Sequence, residues 1–275
     1  MSDNSVIKTE GLAVGYGRKI IADGIELHAH QGKIVTLIGP NGSGKSTILK
    51  SIAAQLRPIA GTVYIEGKAE SSMKRQELAR KLSVVMTERI EPELMTCGEV
   101  IESGRYPYTG RLGILSDNDR KKADEAMRLV RVSELRDADF SRISDGQRQR
   151  VMLAKAICQE PEVLVLDEPT SFLDIRHKLE LLSILKNLVC EKQLAVVMSL
   201  HEIELARQIS DTIVCIKNGK VDRSGTAEEI FRGDYICELY DIDNELIKSA
   251  EGAGLSESIY DINRTAQYIC KGRHP

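Results

Sequence analysis

The sequence contains no apolar run long enough to span a bilayer; a spanning helix needs about 20 consecutive, mostly apolar residues. Its first residues, Met1 to Ser5, are polar and do not read as a signal peptide. Six cysteines stand at 97, 158, 190, 215, 237 and 270, and no two form a C-x-x-C pair. Cys158, Cys190 and Cys215 fall inside apolar helix or strand patterns. They read as small core residues in a reducing compartment, not as metal ligands or disulfide partners. The cytoplasm is the expected location. There is no basic excess: 38 basic residues face 41 acidic ones, for a net charge of −3. That balance argues against a general nucleic-acid binder, and the short basic end Lys271-Gly272-Arg273-His274 does not change it. Internal repeats are absent too, so the chain holds one module rather than two. With 42% hydrophobic and 29% charged residues over 275 positions, it suits one large domain, or a core with inserted lobes.

What is present is organised around Gly39-Pro40-Asn41-Gly42-Ser43-Gly44-Lys45-Ser46-Thr47, a match to the phosphate-binding pattern G-x-x-x-x-G-K-[ST]. The preceding run Ile34-Val35-Thr36-Leu37-Ile38 reads as a buried strand, and Ile48 to Ala54 reads as a helix. Glycines let the backbone curl until successive N–H groups face one phosphate. The helix start adds its positive end. Lys45 would reach the β- and γ-phosphates, and Ser46 would offer its hydroxyl to Mg²⁺. By chance such a pattern turns up in roughly 1 in 100 chains of this length, so it needs partners elsewhere.

Upstream, Val6 to Glu10, Leu12 to Val14 and Ile20 to His28 alternate like strands, and the last reads as a hairpin partner of the first two. Between them Tyr16, in the turn Gly15-Tyr16-Gly17-Arg18, could stack on a base or simply close the turn. Downstream, Pro58 to Gly61 reads as a turn, Thr62 to Ile65 as a strand, Arg75 to Lys81 as a helix and Leu82 to Met86 as a buried strand. From about 90 to 160 the pattern turns helical, as in an inserted lobe. Thr96-Cys97-Gly98-Glu99 is a capping box, and Asp119 to Val132 is an amphipathic helix. Ser144-Asp145-Gly146-Gln147 precedes a helix over Arg148 to Gln159, with Ser144 as its N-cap.

Val163-Leu164-Val165-Leu166 then runs into Asp167-Glu168. This is a buried parallel strand whose carboxyl end carries acids, the place where open α/β sheets bind ligands. Asp167 suits a magnesium site, and Glu168 suits orienting or deprotonating an attacking water. Ser171-Phe172-Leu173-Asp174 follows, then a helix with a core stripe of Leu179, Leu182, Leu185 and Leu188. Leu194 to Ser199 is a further buried strand, and His201 stands just past its end, on the same sheet edge as the acids. Asn218-Gly219 marks a hairpin, and Thr226-Ala227-Glu228-Glu229 is another capping box.

Taken in this order, the motifs resemble the ATP-binding subunit of an ABC transporter, over about residues 6 to 235. The resemblance implies an α/β fold: a P-loop NTPase core with an inserted helical lobe, about 88–160, and an N-terminal antiparallel β region. Residues 1–235 would form the ATP-binding domain, and 236–275 an extension to which no role attaches. It also implies an ATPase that uses ATP and Mg²⁺ and dimerises head to tail with a second copy of itself. Each ATP would lie between one copy's phosphate loop and the other's signature, so Ser144, Asp145, Gly146 and Gln147 would face the partner's ATP. Tyr16 would stack on adenine, Glu168 would be the catalytic carboxylate, His201 the switch histidine, and Asp174 would lie at the dimer interface. Integral membrane permease subunits would receive the motion through residues 88–110, and a substrate-binding protein would be an indirect partner. The place implied is the cytoplasmic face of the bacterial cell membrane.

Three positions depart from the family pattern. Asp145 stands where glycine is usual, and Ile143 where leucine is usual. Where a glutamine normally meets Mg²⁺, this chain has Thr87 followed by Glu88; either has an oxygen for the metal or its water. Gly104-Arg105-Tyr106-Pro107-Tyr108 and the overall length look like importers of iron–siderophore, haem or cobalamin, although a turn with two tyrosines is also explained by local packing. The alternative is a soluble ABC-type ATPase, for example in iron–sulfur cluster assembly.

Overall fold

The computed structural model describes residues 5–87, 94–110, 112–171 and 173–243. The N-terminal hairpin pairs β1 (Ser5–Tyr16) antiparallel with β2 (Lys19–His30). β1 is one strand, not two pieces. A register shift between Thr9 and Leu12, with Gly11 at φ +53°, absorbs the break in alternation as a bulge. β3 (Ile34–Ile38) leaves this sheet, and α1 (Lys45–Ile52) follows it. β4 (Ala60–Ile65) returns to pair with β1, and β5 (Lys68–Ala69) lies outside it. The expected turn at Pro58 to Gly61 is therefore shorter, because Ala60 and Gly61 already belong to β4.

After α2 (Arg75–Lys81) comes β6 (Leu82–Val85). The lobe carries α3 (Cys97–Glu102), α4 (Asp117–Leu129) and α5 (Asp145–Cys158). β7 (Val163–Asp167), α6 (Ile175–Lys192), β8 (Ala195–Ser199) and α7 (Ile203–Ile209) continue the α/β alternation. β9 (Thr212–Lys217) and β10 (Lys220–Gly225) form the hairpin that Asn218-Gly219 predicts, with positive φ at both turn residues. The helices α8 (Ala227–Ile230) and α9 (Tyr235–Leu239) close the described chain.

The larger sheet has the order β10-β9-β3-β8-β7-β6 and is parallel apart from β10. Its parallel strands are largely apolar on both faces, as a doubly covered parallel sheet requires, whereas the antiparallel edge strand β10 is polar and mostly exposed. Ile34, Ile38, Leu164, Leu166, Val196 and Met198 face a core shared with the lobe helices and α6. Val35, Leu37, Val163, Val165, Ala195 and Val197 face α1 and the antiparallel sheet. This alternation is the strand period of two. The same core takes in Ile236 and Leu239 of α9, so the packed unit runs past residue 235.

Two helix-face expectations are corrected. Leu179 is 50% exposed, while Leu181, Leu182, Leu185, Leu188 and Val189 are buried. A strict i, i+3 stripe drifts around a 3.6-residue helix, so its first leucine has rotated out of the core. Cys190, about three turns further along the same helix, shares the outward face of Leu179 and is exposed, whereas Cys158 and Cys215 are buried.

Candidate nucleotide site

The register of the parallel sheet assembles the site. Asp167 lies beside Ser199 across β7–β8, and Ser199 lies beside Leu37 across β8–β3. The chain thus leaves β3, β7 and β8 at one edge, and Thr87 is two residues beyond the end of β6. That edge is where ligands meet open α/β sheets.

Gly39 begins the phosphate loop at φ +143°, with its backbone pressed on β9. A Cβ there would lie 2.0 Å from the Ile216 carbonyl oxygen, so no other residue fits. Gly42 and Gly44 also have positive φ, +76° and +104°. Lys45 is buried, and its Nζ donates to Gly39 O at 2.7 Å and Pro40 O at 2.9 Å. Burial pushes its pKa down, and the Glu168 and Asp167 carboxylates oppose that shift. The buried Ser43 Oγ has no hydrogen-bond partner among the described residues. An orphaned hydroxyl and a buried cation inside a curl of amides fit an anionic, oxygen-rich ligand such as a polyphosphate.

Opposite the loop, Asp167 Oδ1 accepts from Ser46 Oγ at 2.9 Å and from Ser199 Oγ at 2.7 Å. Thr87 Oγ1 lies 2.9 Å from Asp167 O and 3.1 Å from Oδ2. Ser46, Thr87 and Asp167 thus bring hard oxygen donors together, the donor type that Mg²⁺ prefers. Glu88 lies outside the described residues. Glu168 adopts φ +49°, an uncommon conformation for a non-glycine residue. Its amide donates to Ser199 Oγ at 2.9 Å, its Oε2 accepts from Ser171 Oγ at 3.0 Å, and its Oε1 meets His201 Nε2. Glu168, His201, Tyr16, Asn41, Lys45 and Thr47 all line one cleft of about 480 Å³, and Tyr16 is 53% exposed at its rim.

The signature stands apart from that cleft. Ser144 N-caps α5 with a capping box: its Oγ accepts from Gln147 N at 3.3 Å, and Gln147 Oε1 accepts from Ser144 N at 3.0 Å. Asp145 is the first residue of the helix and has no positive φ, so its substitution for glycine leaves the turn intact without unusual backbone angles. Asp174 N-caps α6, accepting from His177 N at 2.9 Å while its other oxygen lies 2.8 Å from His177 Nδ1. A Cβ on Gly146 would lie 3.3 Å from the same imidazole ring. One histidine therefore joins Asp174 to the signature turn. Sequence reasoning missed His177, and missed Ser199 as the shared partner of Asp167 and Glu168. A polar residue closing an apolar strand was the available signal for Ser199. His177 offered only its i, i+3 spacing from Asp174.

The Gly104–Tyr108 turn is a packed element. A Cβ on Gly104 would lie 2.4 Å from Lys155 O. Arg105 is buried, with Asp119 at 3.0 Å and Glu160 at 2.9 Å, and its guanidinium lies 3.9 Å from the Tyr108 ring centroid. Tyr106 is 58% exposed.

Known proteins match this architecture. The family model described as ABC transporter matches residues 22–171. An uncharacterized ABC transporter ATP-binding protein of Methanocaldococcus jannaschii is 47% identical over 239 residues, covering 87% of this chain and 82% of that protein. The iron(3+)-hydroxamate import ATP-binding protein of Bacillus subtilis strain 168 is 36% identical over 241 residues, covering 88% and 90%. Among solved structures, a dimeric post-hydrolysis ATP-binding cassette bound to ADP and Pi superposes with a TM-score of 0.71 at 28% identity, covering 80% of this chain and 98% of that one.

Proposed function

The chain belongs to the ABC transporter family, and on that premise we propose that it is the ATP-hydrolysing subunit of an importer for a metal chelate or cobalamin. The observation that carries the reading is the division of the site. The phosphate loop, Glu168 and His201 line one cleft, while the capped signature turn at Ser144 lies outside it. A second copy, docked head to tail, supplies the missing half. In that dimer Ser144, Asp145, Gly146 and Gln147 face the partner's γ-phosphate, and Asp174 lies at the interface. Within one copy, Lys45 and the loop amides bind the phosphates and Tyr16 stacks on adenine. Ser46, Asp167 and Thr87 hold Mg²⁺, which supplies neutralisation of phosphate charge when bound. Glu168 takes the proton of the attacking water, and His201 holds Glu168.

Exposed apolar side chains on the lobe, Leu94, Tyr106, Leu112 and Ile114, suit a contact with permease subunits, which would hold the protein at the cytoplasmic face of the membrane. A substrate-binding protein delivers cargo to that permease. The cargo class rests on the import names of relatives such as the Bacillus hydroxamate protein. Tagging the protein in its native cells, solubilising membranes in mild detergent and identifying what co-purifies tests this reading. A multi-span permease is expected. Exclusively soluble partners would replace the importer with a scaffold or assembly ATPase.

The metal side has its own test. Thr87→Ala removes the hydroxyl that meets the Asp167 carboxylate. Hydrogen bonds to charged groups contribute about 1.5–3 kcal/mol, so the Mg²⁺ concentration for half-maximal ATPase activity should rise by about tenfold or more. Thr87→Ser should restore it. A lower rate at an unchanged Mg²⁺ requirement would remove Thr87 from the metal site.

A further inference from the structure

The end of α9 reaches the phosphate loop. The Gly39 N–H donates to the Tyr240 hydroxyl oxygen at 3.2 Å, across 201 residues of sequence. Gly39 O is also an anchor of the Lys45 ammonium, at 2.7 Å. One glycine therefore links the tyrosine on one side to the phosphate-binding cation on the other.

Tyr240 is held for this contact from several directions. It closes α9 in a Schellman arrangement: Asp241 sits at φ +54°, its N–H meets Glu238 O at 3.4 Å, and the Ile242 N–H donates to Cys237 O at 2.8 Å. Lys217 Nζ, at the end of β9, donates to Glu238 O and to Asp241 Oδ1, the latter at 2.7 Å. At the other end of the helix, the Tyr235 hydroxyl donates to Asp222 Oδ2 at 2.6 Å, and the Arg223 guanidinium lies 3.8 Å from the Tyr235 ring centroid. Ile236 and Leu239 are buried in the main core. The helix is thus fixed to the β9–β10 hairpin, and β9 is the strand whose Ile216 carbonyl already presses on Gly39.

We propose that Tyr240 is a positioning residue for the phosphate loop, so that α9 is part of the nucleotide site rather than an appendage to it. The phenol oxygen acts as acceptor for the first loop amide and fixes the Gly39 backbone from which Lys45 is hung. A phenylalanine keeps the ring packing and cannot accept that bond.

The test is Tyr240→Phe in the full chain. ATP binding by calorimetry, steady-state KM and kcat, and hydrogen exchange at the Gly39 amide are compared with wild type. Loss of one neutral hydrogen bond predicts Kd and KM for ATP raised about threefold to tenfold. The kcat should stay within about twofold, and the Gly39 amide should lose protection. Unchanged Kd, KM and Gly39 protection would overturn the proposal, because a packing role alone survives in phenylalanine. If the variant does not fold, Lys217→Met removes the anchor at the Tyr240 end of the helix, its bonds to Glu238 O and Asp241 Oδ1, while leaving the phenol in place. A KM raised by about threefold supports the proposal, and an unchanged KM overturns it. The inference rests on the loop being the nucleotide site. Failure of wild-type protein to bind ATP would sink that reading, whereas binding unaffected by Tyr240→Phe sinks this one alone.

Discussion

Replacing Glu168 by Gln is expected to cut ATP turnover by about 10²- to 10⁴-fold and to leave ATP binding unchanged. Glu168 is held through both its backbone and its carboxylate. Its backbone N–H donates to Ser199 Oγ, one carboxylate oxygen accepts from Ser171 Oγ and the other meets His201 Nε2. Its left-handed backbone, at φ +49°, costs of order 1–2 kcal/mol and aims the carboxylate into the cleft with Lys45 and Thr47. Strain of this kind persists where surrounding contacts over-determine it, and it concentrates at functional sites. Gln has the same shape and one fewer capability, since it cannot take a proton. ATP-loaded Glu168→Gln should therefore accumulate as a dimer, visible by light scattering during size exclusion, while wild type returns to monomer as it hydrolyses. Full ATPase activity in the variant would remove Glu168 from the base role and leave His201 to explain turnover.

The parts of this site that can be read from sequence are those whose signal is local. The phosphate loop is a contiguous pattern, and its glycines at 39, 42 and 44 do have the positive φ that the motif requires. The acids follow directly from the strand that carries them. Capping boxes are legible because both partners lie within three residues: those at Thr96 and Thr226 form with both bonds, and Ser144, expected as an N-cap, forms a third box with Gln147. A fourth, at Ser116 with Asp119, starts α4 two residues before the expected helix, where apolar periodicity had not begun.

What remained hidden depends on distance along the chain. Tyr240 lies in a segment of mixed polarity with no motif, and its meaning comes from Gly39. Ser199 acquires its role when β8 pairs with β7. Arg105 reads as one residue of a turn with two tyrosines, because nothing in the sequence indicates that Asp119 and Glu160 will enclose it. A buried arginine becomes legible only after the fold has brought its carboxylates to it.

That enclosure makes Arg105→Ala the largest stability effect expected here, about 3–5 kcal/mol. The arginine side chain is 3% exposed and that of Asp119 9%. Arg105 Nη1 also donates to Cys158 O at 2.7 Å. Alanine would leave Asp119 Oδ1 and the Cys158 carbonyl without their arginine donor, with only Oδ2 still accepting from the Ser116 amide and hydroxyl, and would open a hole under the Tyr108 ring. Glu160, with its side chain 40% exposed, recovers water and adds little. At about 2–4 °C per kcal/mol for a chain of this size, the melting temperature should fall by roughly 6–20 °C. The Asp119 carboxyl is held below its ordinary pKa, first by the Ser116 hydroxyl and also by Arg105. Its share of stability is present at neutral pH and is lost as pH falls through that lowered value, so the gap between variant and wild type should narrow in acid. Arg105→Ala/Asp119→Ala should be less destabilised than the sum of its single substitutions, because the second change removes the orphaned charge. The exposed Tyr106 sits on the turn that this cluster braces, within the face proposed for permease contact. Purified Arg105→Ala should consequently keep its intrinsic ATPase activity below its lowered melting temperature and lose stimulation by the permease. A melting temperature within about 2 °C of wild type would show that water reaches the cluster, and unimpaired stimulation would detach the turn from coupling.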